Sequence, residues 1–142
     1  MTTESNDRVH ATGSCNCGAV KFEVTQALDS VFLCHCSICR KSTGSGGIAV
    51  TVVPNEEIKI TQGHAHITQW RKPGHDWLTN FCDCCGSPLP GENDAQHQCI
   101  PVGLLDSGAE QLEVKHHLFS DSKAPWERIS GPGKIHPGEY TP

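Results

Sequence analysis

Eight of the nine cysteines in this chain lie in three short clusters, and this pattern constrains the fold more than any other feature. The clusters read C-x-C, C-x-C-x-x-C and C-x-C-C, and their members are Cys15 and Cys17; Cys34, Cys36 and Cys39; and Cys82, Cys84 and Cys85. An odd number of cysteines cannot pair completely in disulfides. The N-terminus is polar and acidic, without the apolar stretch of an export signal. We therefore predict a cytoplasmic protein with reduced thiols, whose clusters bind metal.

The first and third clusters together predict a closed zinc site. Zn²⁺ binds thiolates about 2.3 Å away in a tetrahedron, and four cysteines leave no position for a substrate. Alternate side chains of an extended C-x-C segment leave the same side and can reach one ion. In the third cluster Gly86 tolerates the positive φ of a turn that brings two sulfur atoms together. Cys85 is preferred over Cys84 because it alone keeps the C-x-x-C-G spacing. The four expected ligands of this structural zinc are Cys15, Cys17, Cys82 and Cys85.

The middle cluster predicts a second zinc ion, which gives two per chain. Three thiolates leave one position open for water or a substrate, as a catalytic zinc requires. The alternative is a second structural site, closed by His35, Cys84 or another histidine, and spacing alone favours neither. Cys99 lies outside the clusters and is interpreted as a small buried side chain.

Short alternating segments predict a mainly β fold with few short helices. Val20, Phe22 and Val24 alternate with polar residues, which is the pattern of a half-buried strand. Further strand-like segments, broken by Gly and Pro, are residues 31–33, 48–53, 58–60, 66–70, 77–81, 99–102 and 112–118. We expect a flexible leader at residues 1–11, one domain at 12–128 and an irregular C-terminal strap at 129–142.

Charge and hydropathy exclude two classes of partner. The formal net charge is −5, whereas nucleic-acid binding usually requires a basic face. No run approaches the ~18 apolar residues of a membrane-spanning helix. We therefore expect neither a nucleic-acid partner nor a membrane.

Three motifs, in this order, resemble those of the glutathione-dependent formaldehyde-activating family, also called the GFA or centromere-protein-V-like family. The segments are G-S-C-N-C-G-A-V at 13–20, C-H-C-S-I-C-R-K at 34–41 and F-C-D-C-C-G-S-P-L at 81–89. Pro125-Trp126 also resembles the C-terminal Pro-Trp of the family, so the resemblance spans about residues 12–126. It implies an Mss4-like fold, a small β-sandwich built around zinc knuckles.

The resemblance also implies a site and an activity. The structural zinc would lie at Cys15, Cys17, Cys82 and Cys85, and a catalytic zinc at Cys34, Cys36 and Cys39. The activity would be that of a carbon–sulfur lyase or synthase, which forms S-(hydroxymethyl)glutathione from glutathione and formaldehyde. Glutathione would be the co-substrate, so the expected partners are a small thiol and an electrophile.

Several side chains near the motifs are candidates for further roles. Arg40 and Lys41 directly follow the triplet and could bind a substrate carboxylate, or they could simply face solvent. His35 could assist proton transfer, although a surface position is the simpler interpretation. Trp70 and Trp77 could line a pocket, but we expect at least one of them in the core, and we expect Trp126 to anchor the strap. The alternative to an enzyme is a non-catalytic zinc-binding module that binds a protein partner.

Overall fold

The computed structural model describes residues 8–142, so most of the predicted leader lies outside the described residues. The described chain forms thirteen β-strands, one α-helix and four short 3-10 helices. The prediction of a mainly β fold with few short helices is confirmed. The strands form three separate sheets.

The first sheet has four strands in the order β11-β1-β2-β5, with antiparallel neighbours. Their bounds are β1 (Ala11–Ser14), β2 (Lys21–Val24), β5 (Ile58–Gln62) and β11 (Leu105–Ser107). Phe22 and Val24 point into the core while Lys21 is exposed, as the period-2 pattern predicts. A Cβ on Gly13 would collide with the ring of Phe22, so glycine is required where β1 crosses this ring.

The second sheet has six strands in the order β13-β12-β3-β4-β10-β9. Their bounds are β3 (Ser30–Cys34), β4 (Ile48–Pro54), β9 (Gly91–Glu92), β10 (His97–Pro101), β12 (Glu113–Leu118) and β13 (Lys134–Ile135). In the ladder between β3 and β4, Cys34 lies opposite Ile48. Strand β3 of the second sheet therefore ends at Cys34, the first residue of the middle cysteine cluster.

The third sheet is antiparallel and has three strands in the order β6-β7-β8. Their bounds are β6 (Ile67–Arg71), β7 (Leu78–Cys82) and β8 (Pro88–Leu89). The turn between β7 and β8 carries the third cysteine cluster. Its position is fixed by the pairing of Ile67 with Cys82 and of Phe81 with Pro88.

Two hydrophobic clusters form the core. The larger lies under the first two sheets and contains Ala11, Phe22, Val24, Leu28, Val53 and Ile100. The smaller contains Cys15, Val20, Cys82 and Leu89, so two cysteines of the predicted closed site are themselves core residues. Val20 and Leu89 pack with these two cysteines, and the burial of each such side chain contributes about 1.5–3 kcal/mol. The packing of this cluster therefore helps to hold the two cysteines in place.

The one α-helix of the described chain, α1 (Ser37–Thr43), was not predicted from the sequence. Cys36 is its N-cap, and its sulfur accepts a hydrogen bond from the Cys39 N–H, 3.4 Å away. Gly44 ends the helix in the left-handed conformation, with its N–H bonded to the Arg40 carbonyl. With only seven residues, α1 has no apolar periodicity long enough to recognise.

Regular structure extends beyond the predicted domain at both ends. Ala11 falls within the predicted leader, but it lies in β1 and is fully buried, so β structure begins before the predicted boundary. In the strap, β13 pairs in parallel with β12 and extends the second sheet. His136 in this segment is only 2% exposed, and burial lowers the pKa of its imidazole, which favours the neutral form. The division into leader, domain and strap otherwise stays a prediction.

The expectation of a buried anchor at Trp126 is wrong. Its side chain is 72% exposed, although the ring passes close to Gly46. In the part of the chain that the structure covers, no helix has the length and apolar character needed to span a membrane.

Candidate metal centres and substrate cleft

Four sulfur atoms from two distant turns come together at one point. Their ligand atoms all lie within 4.8 Å of one another and belong to Cys15, Cys17, Cys82 and Cys85. Cys17 Sγ is 3.6 Å from Cys15 Sγ and 3.8 Å from Cys82 Sγ. A tetrahedron with Zn–S bonds of ~2.3 Å has S–S edges of about 3.8 Å, so the donor set and its spacing fit zinc.

Each of the two turns is held in shape by a glycine. Gly18 follows the first pair and Gly86 the second, with φ of 80° and 77°. The Gly18 N–H donates to the Cys15 carbonyl, and the Gly86 N–H donates to the Cys82 carbonyl. The Val20 N–H is also directed at Cys15 Sγ, at 3.3 Å. A side chain at either glycine would be strained at this φ, so glycine sets the direction of the sulfur atoms.

Ser87 links the two turns. Its hydroxyl accepts a hydrogen bond from the Asn16 N–H at 2.9 Å and lies 3.3 Å from Cys85 Sγ. Hydrogen bonding from the Ser87 side chain and backbone lowers the pKa of the Cys85 thiol to about 5. Cys85 is therefore a thiolate at neutral pH, which is the form that binds metal.

The middle cluster forms a second group, whose three sulfur atoms lie within 4.8 Å of one another. Cys34 ends β3, Cys36 caps α1, and Cys39 lies in α1 and is buried. Hydrogen bonding with the Cys39 side chain lowers the pKa of Cys34 to about 6, while the pKa of Cys39 is raised by the same contact. Both cysteine groups could hold a metal ion.

No fourth Cys, His, Asp or Glu of residues 8–142 joins this group of three. The two candidates named for closing it lie elsewhere. Cys84 groups with His66 and Asp83, and the ring of His35 is hydrogen-bonded to His117. In the described part of the chain, the middle cluster therefore presents three thiols without a fourth side-chain ligand.

The expectation of a surface position for His35 is wrong, because its side chain is fully buried. His117 Nε2 is 3.1 Å from the Pro132 carbonyl, so it carries the proton, and His117 Nδ1 accepts from His35 Nε2–H at 3.1 Å. His35 Nδ1 then faces Glu127 Oε1 at 3.7 Å. Burial lowers the pKa of His35. The hydrogen bonds from His35 to His117 and from His117 to Pro132 thus link the segment between Cys34 and Cys36 to the C-terminal strap.

Glu127 and His117 were missed in the sequence. Glu127 directly follows Pro125-Trp126, the one motif outside the cysteine clusters, and this was the available signal. His117 carried no signal, because the parallel pairing of β12 with β3 is what brings it beside His35.

A cleft of about 600 Å³ lies between α1 and the third sheet. Its walls include Trp70, Trp77 and Phe81, and its basic residues include Lys41 and Lys72. Neither Trp70 nor Trp77 belongs to the core clusters, so the expectation of a core position for one of them is wrong.

Ser37, the residue after Cys36, also lines the cleft. Of the predicted basic pair, Lys41 lines it and Arg40 does not.

A smaller cavity of about 140 Å³ adjoins this cleft, with Trp77, Thr79 and Pro88 in common. It is lined by Ile48, which pairs with Cys34, and by Cys99. Desolvation raises the pKa of Cys99 to about 12, so its thiol is protonated at neutral pH. The middle cysteine cluster thus has neighbours in both cavities: Ser37 lines the larger one and Ile48 the smaller one.

Comparison with known proteins identifies the family. The family model described as "Glutathione-dependent formaldehyde-activating enzyme" matches residues 10–122. A Halomonas elongata protein described as "Putative glutathione-dependent formaldehyde-activating enzyme" is 32% identical over 127 residues, which cover 82% of this chain and 79% of that protein. The chain therefore belongs to the glutathione-dependent formaldehyde-activating family.

A solved structure supports the fold. The crystal structure of a Rhodobacter sphaeroides protein matches with a TM-score of 0.56 and 22% sequence identity, covering 67% of this chain and 87% of the other.

Proposed function

We propose that this protein is a zinc-dependent carbon–sulfur lyase or synthase that acts on glutathione adducts. The reaction is the reversible addition of the glutathione thiol to formaldehyde, which gives S-(hydroxymethyl)glutathione. The observation that supports it best is the set of three thiols at Cys34, Cys36 and Cys39, which no fourth side chain of the described chain completes. Membership of the family supports the choice of thiol and aldehyde.

We propose two zinc ions per chain. Cys15, Cys17, Cys82 and Cys85 would hold one, and its closed coordination is structural. Cys34, Cys36 and Cys39 would hold the other. Because free thiols are mostly protonated at pH 7, the chemistry that a zinc ion supplies there is deprotonation of the substrate thiol. In the forward direction a sulfur–carbon bond forms, the carbonyl π bond breaks, and the oxygen takes up a proton.

The chain's own residues would bind and orient the thiol. Lys41 and Lys72 both line the cleft, and their two positive charges suit the two carboxylates of glutathione. Trp70, Trp77 and Phe81 cover an apolar surface that excludes water from the bound adduct. We assign carboxylate binding to Lys41 rather than Arg40, since only Lys41 lines the cleft.

The proposal is tested by NMR exchange spectroscopy of glutathione with ¹³C-formaldehyde. The protein is expected to accelerate the exchange between free formaldehyde and the adduct beyond the uncatalysed rate. Unchanged exchange at high protein concentration, with zinc supplied, would contradict the proposed activity.

One lysine variant and one arginine variant test the binding of glutathione in the same assay. Lys41→Gln is expected to raise KM for glutathione about tenfold, because one charge-assisted hydrogen bond contributes ~1.5 kcal/mol. The neighbouring Arg40→Gln is the matched control and is expected to leave KM within about twofold. A larger rise in Arg40→Gln than in Lys41→Gln would overturn the assignment.

A further inference from the structure

A third group of side chains that could hold a metal ion shares no member with the two cysteine groups described above. It consists of His66, Asp83 and Cys84, which we call the surface triad, and its ligand atoms lie within 4.8 Å of one another. His66 Nδ1 is 2.9 Å from Asp83 Oδ1 and 3.3 Å from Cys84 Sγ. A single imidazole nitrogen can make one good hydrogen bond with its proton or lone pair. His66 Nδ1 nevertheless faces both the Asp83 carboxylate and the Cys84 sulfur atom.

The backbone holds the surface triad together. His66 ends a 3-10 helix (His64–His66), and the next residue, Ile67, pairs with Cys82 in the third sheet. The Asp83 N–H donates to the His66 carbonyl at 2.9 Å, so the two turns are joined directly beside the three side chains. The three donors therefore need little reorganisation to bind one ion.

The donor set selects the kind of ion. One sulfur, one imidazole nitrogen and one carboxylate oxygen match the preference of Zn²⁺ and similar divalent transition metals, and do not suit Mg²⁺ or Ca²⁺. A thiolate and a carboxylate also balance the charge of a divalent cation. The side chains of His66 and Asp83 are 43% and 47% exposed, and Cys84 is exposed, so solvent reaches the site.

We infer that the surface triad binds a further zinc-like ion, with His66, Asp83 and Cys84 as ligands and one position open to solvent. This ion is separate from the two in the proposed function and does not depend on that function. Cys84, which the C-x-x-C-G spacing leaves out of the closed site, thereby acquires a role.

The test counts zinc per chain by elemental mass spectrometry after equilibration of the full protein in a zinc buffer. The wild-type protein is expected to hold one zinc ion more than His66→Gln. His64→Gln is the matched control, since it changes the other histidine of the same 3-10 helix, and it should hold as much zinc as the wild type. Equal zinc in His66→Gln and wild type would overturn the inference.

A second variant keeps the test independent of zinc counting. With Co²⁺ as the probe, the sulfur-to-cobalt absorption that belongs to the last equivalent bound should disappear in Cys84→Ser. The melting temperature of Cys84→Ser should stay within a few degrees of the wild type. Retention of that absorption, or a collapse of the melting temperature that shows Cys84 to be a ligand of the closed site, would overturn the inference.

Discussion

Cys85→Ser is expected to unfold much of the protein, whereas Cys84→Ser leaves it folded. In the structure Cys85 lies with the other three sulfur atoms of the closed group, and two members of that group belong to the smaller core cluster. Structural zinc contributes ~10–16 kcal/mol of apparent binding free energy in small domains, comparable with the whole stability of a protein of this size. Loss of one of the four thiolates should therefore lower the melting temperature by more than about 15 °C.

Thermal unfolding monitored by circular dichroism, with zinc content measured in parallel, checks this pair of variants. The two residues are neighbours, so Cys84→Ser controls for the loss of a thiol in this turn. A native-like Cys85→Ser protein with the full zinc content of the wild type would contradict the assignment of Cys85. An unfolded Cys84→Ser protein would make Cys84 the ligand instead.

Cys36→Ser is expected to abolish activity while the fold is kept. It removes one of the three thiols at the open group, and we expect kcat/KM to fall at least about a hundredfold, equivalent to ~2.7 kcal/mol. Serine is a good N-cap, so the start of α1 stays capped as it is by the Cys36 sulfur. The melting temperature should therefore change by only a few degrees.

Cys99→Ser is the matched control, because Cys99 lines the adjoining cavity but lies outside both cysteine groups. It should keep activity within about threefold of wild type, as expected for a residue that binds no ion. A large fall in the melting temperature of Cys36→Ser would mean that the middle cluster is structural, and full activity would mean that it takes no part in the reaction.

The longer strands and the cysteine pairs could be predicted from the sequence because their signals are local. Phe22 and Val24 alternate with polar neighbours, and the C-x-x-C-G spacing marks Cys82 and Cys85 without reference to any other part of the chain. The count of four ligands for a closed zinc site joined these residues to the first cluster, and the family resemblance implied the same set. The structure brings the same four sulfur atoms together.

The features that the sequence did not predict depend on contacts between distant segments of the chain. Ala11 carries no strand pattern of its own and becomes β structure by pairing with β2 and lying in the core. His35 is buried because His117 reaches it across the parallel ladder of β12 and β3. Trp70 and Trp77 line the cleft instead of the core because the third sheet faces α1 across it. Local patterns in a single sequence do not reveal such contacts between distant residues.

The most direct test of the central claim is zinc content before and after brief dialysis against a mild chelator, with activity measured on the same samples. His66→Gln protein should be used, since it removes the proposed surface ion from the count. We expect two zinc ions to fall to one, with activity lost and then restored by one equivalent of zinc. Two ions that resist the chelator, or one ion throughout, would contradict an open catalytic site and favour a non-catalytic zinc module that binds a protein partner.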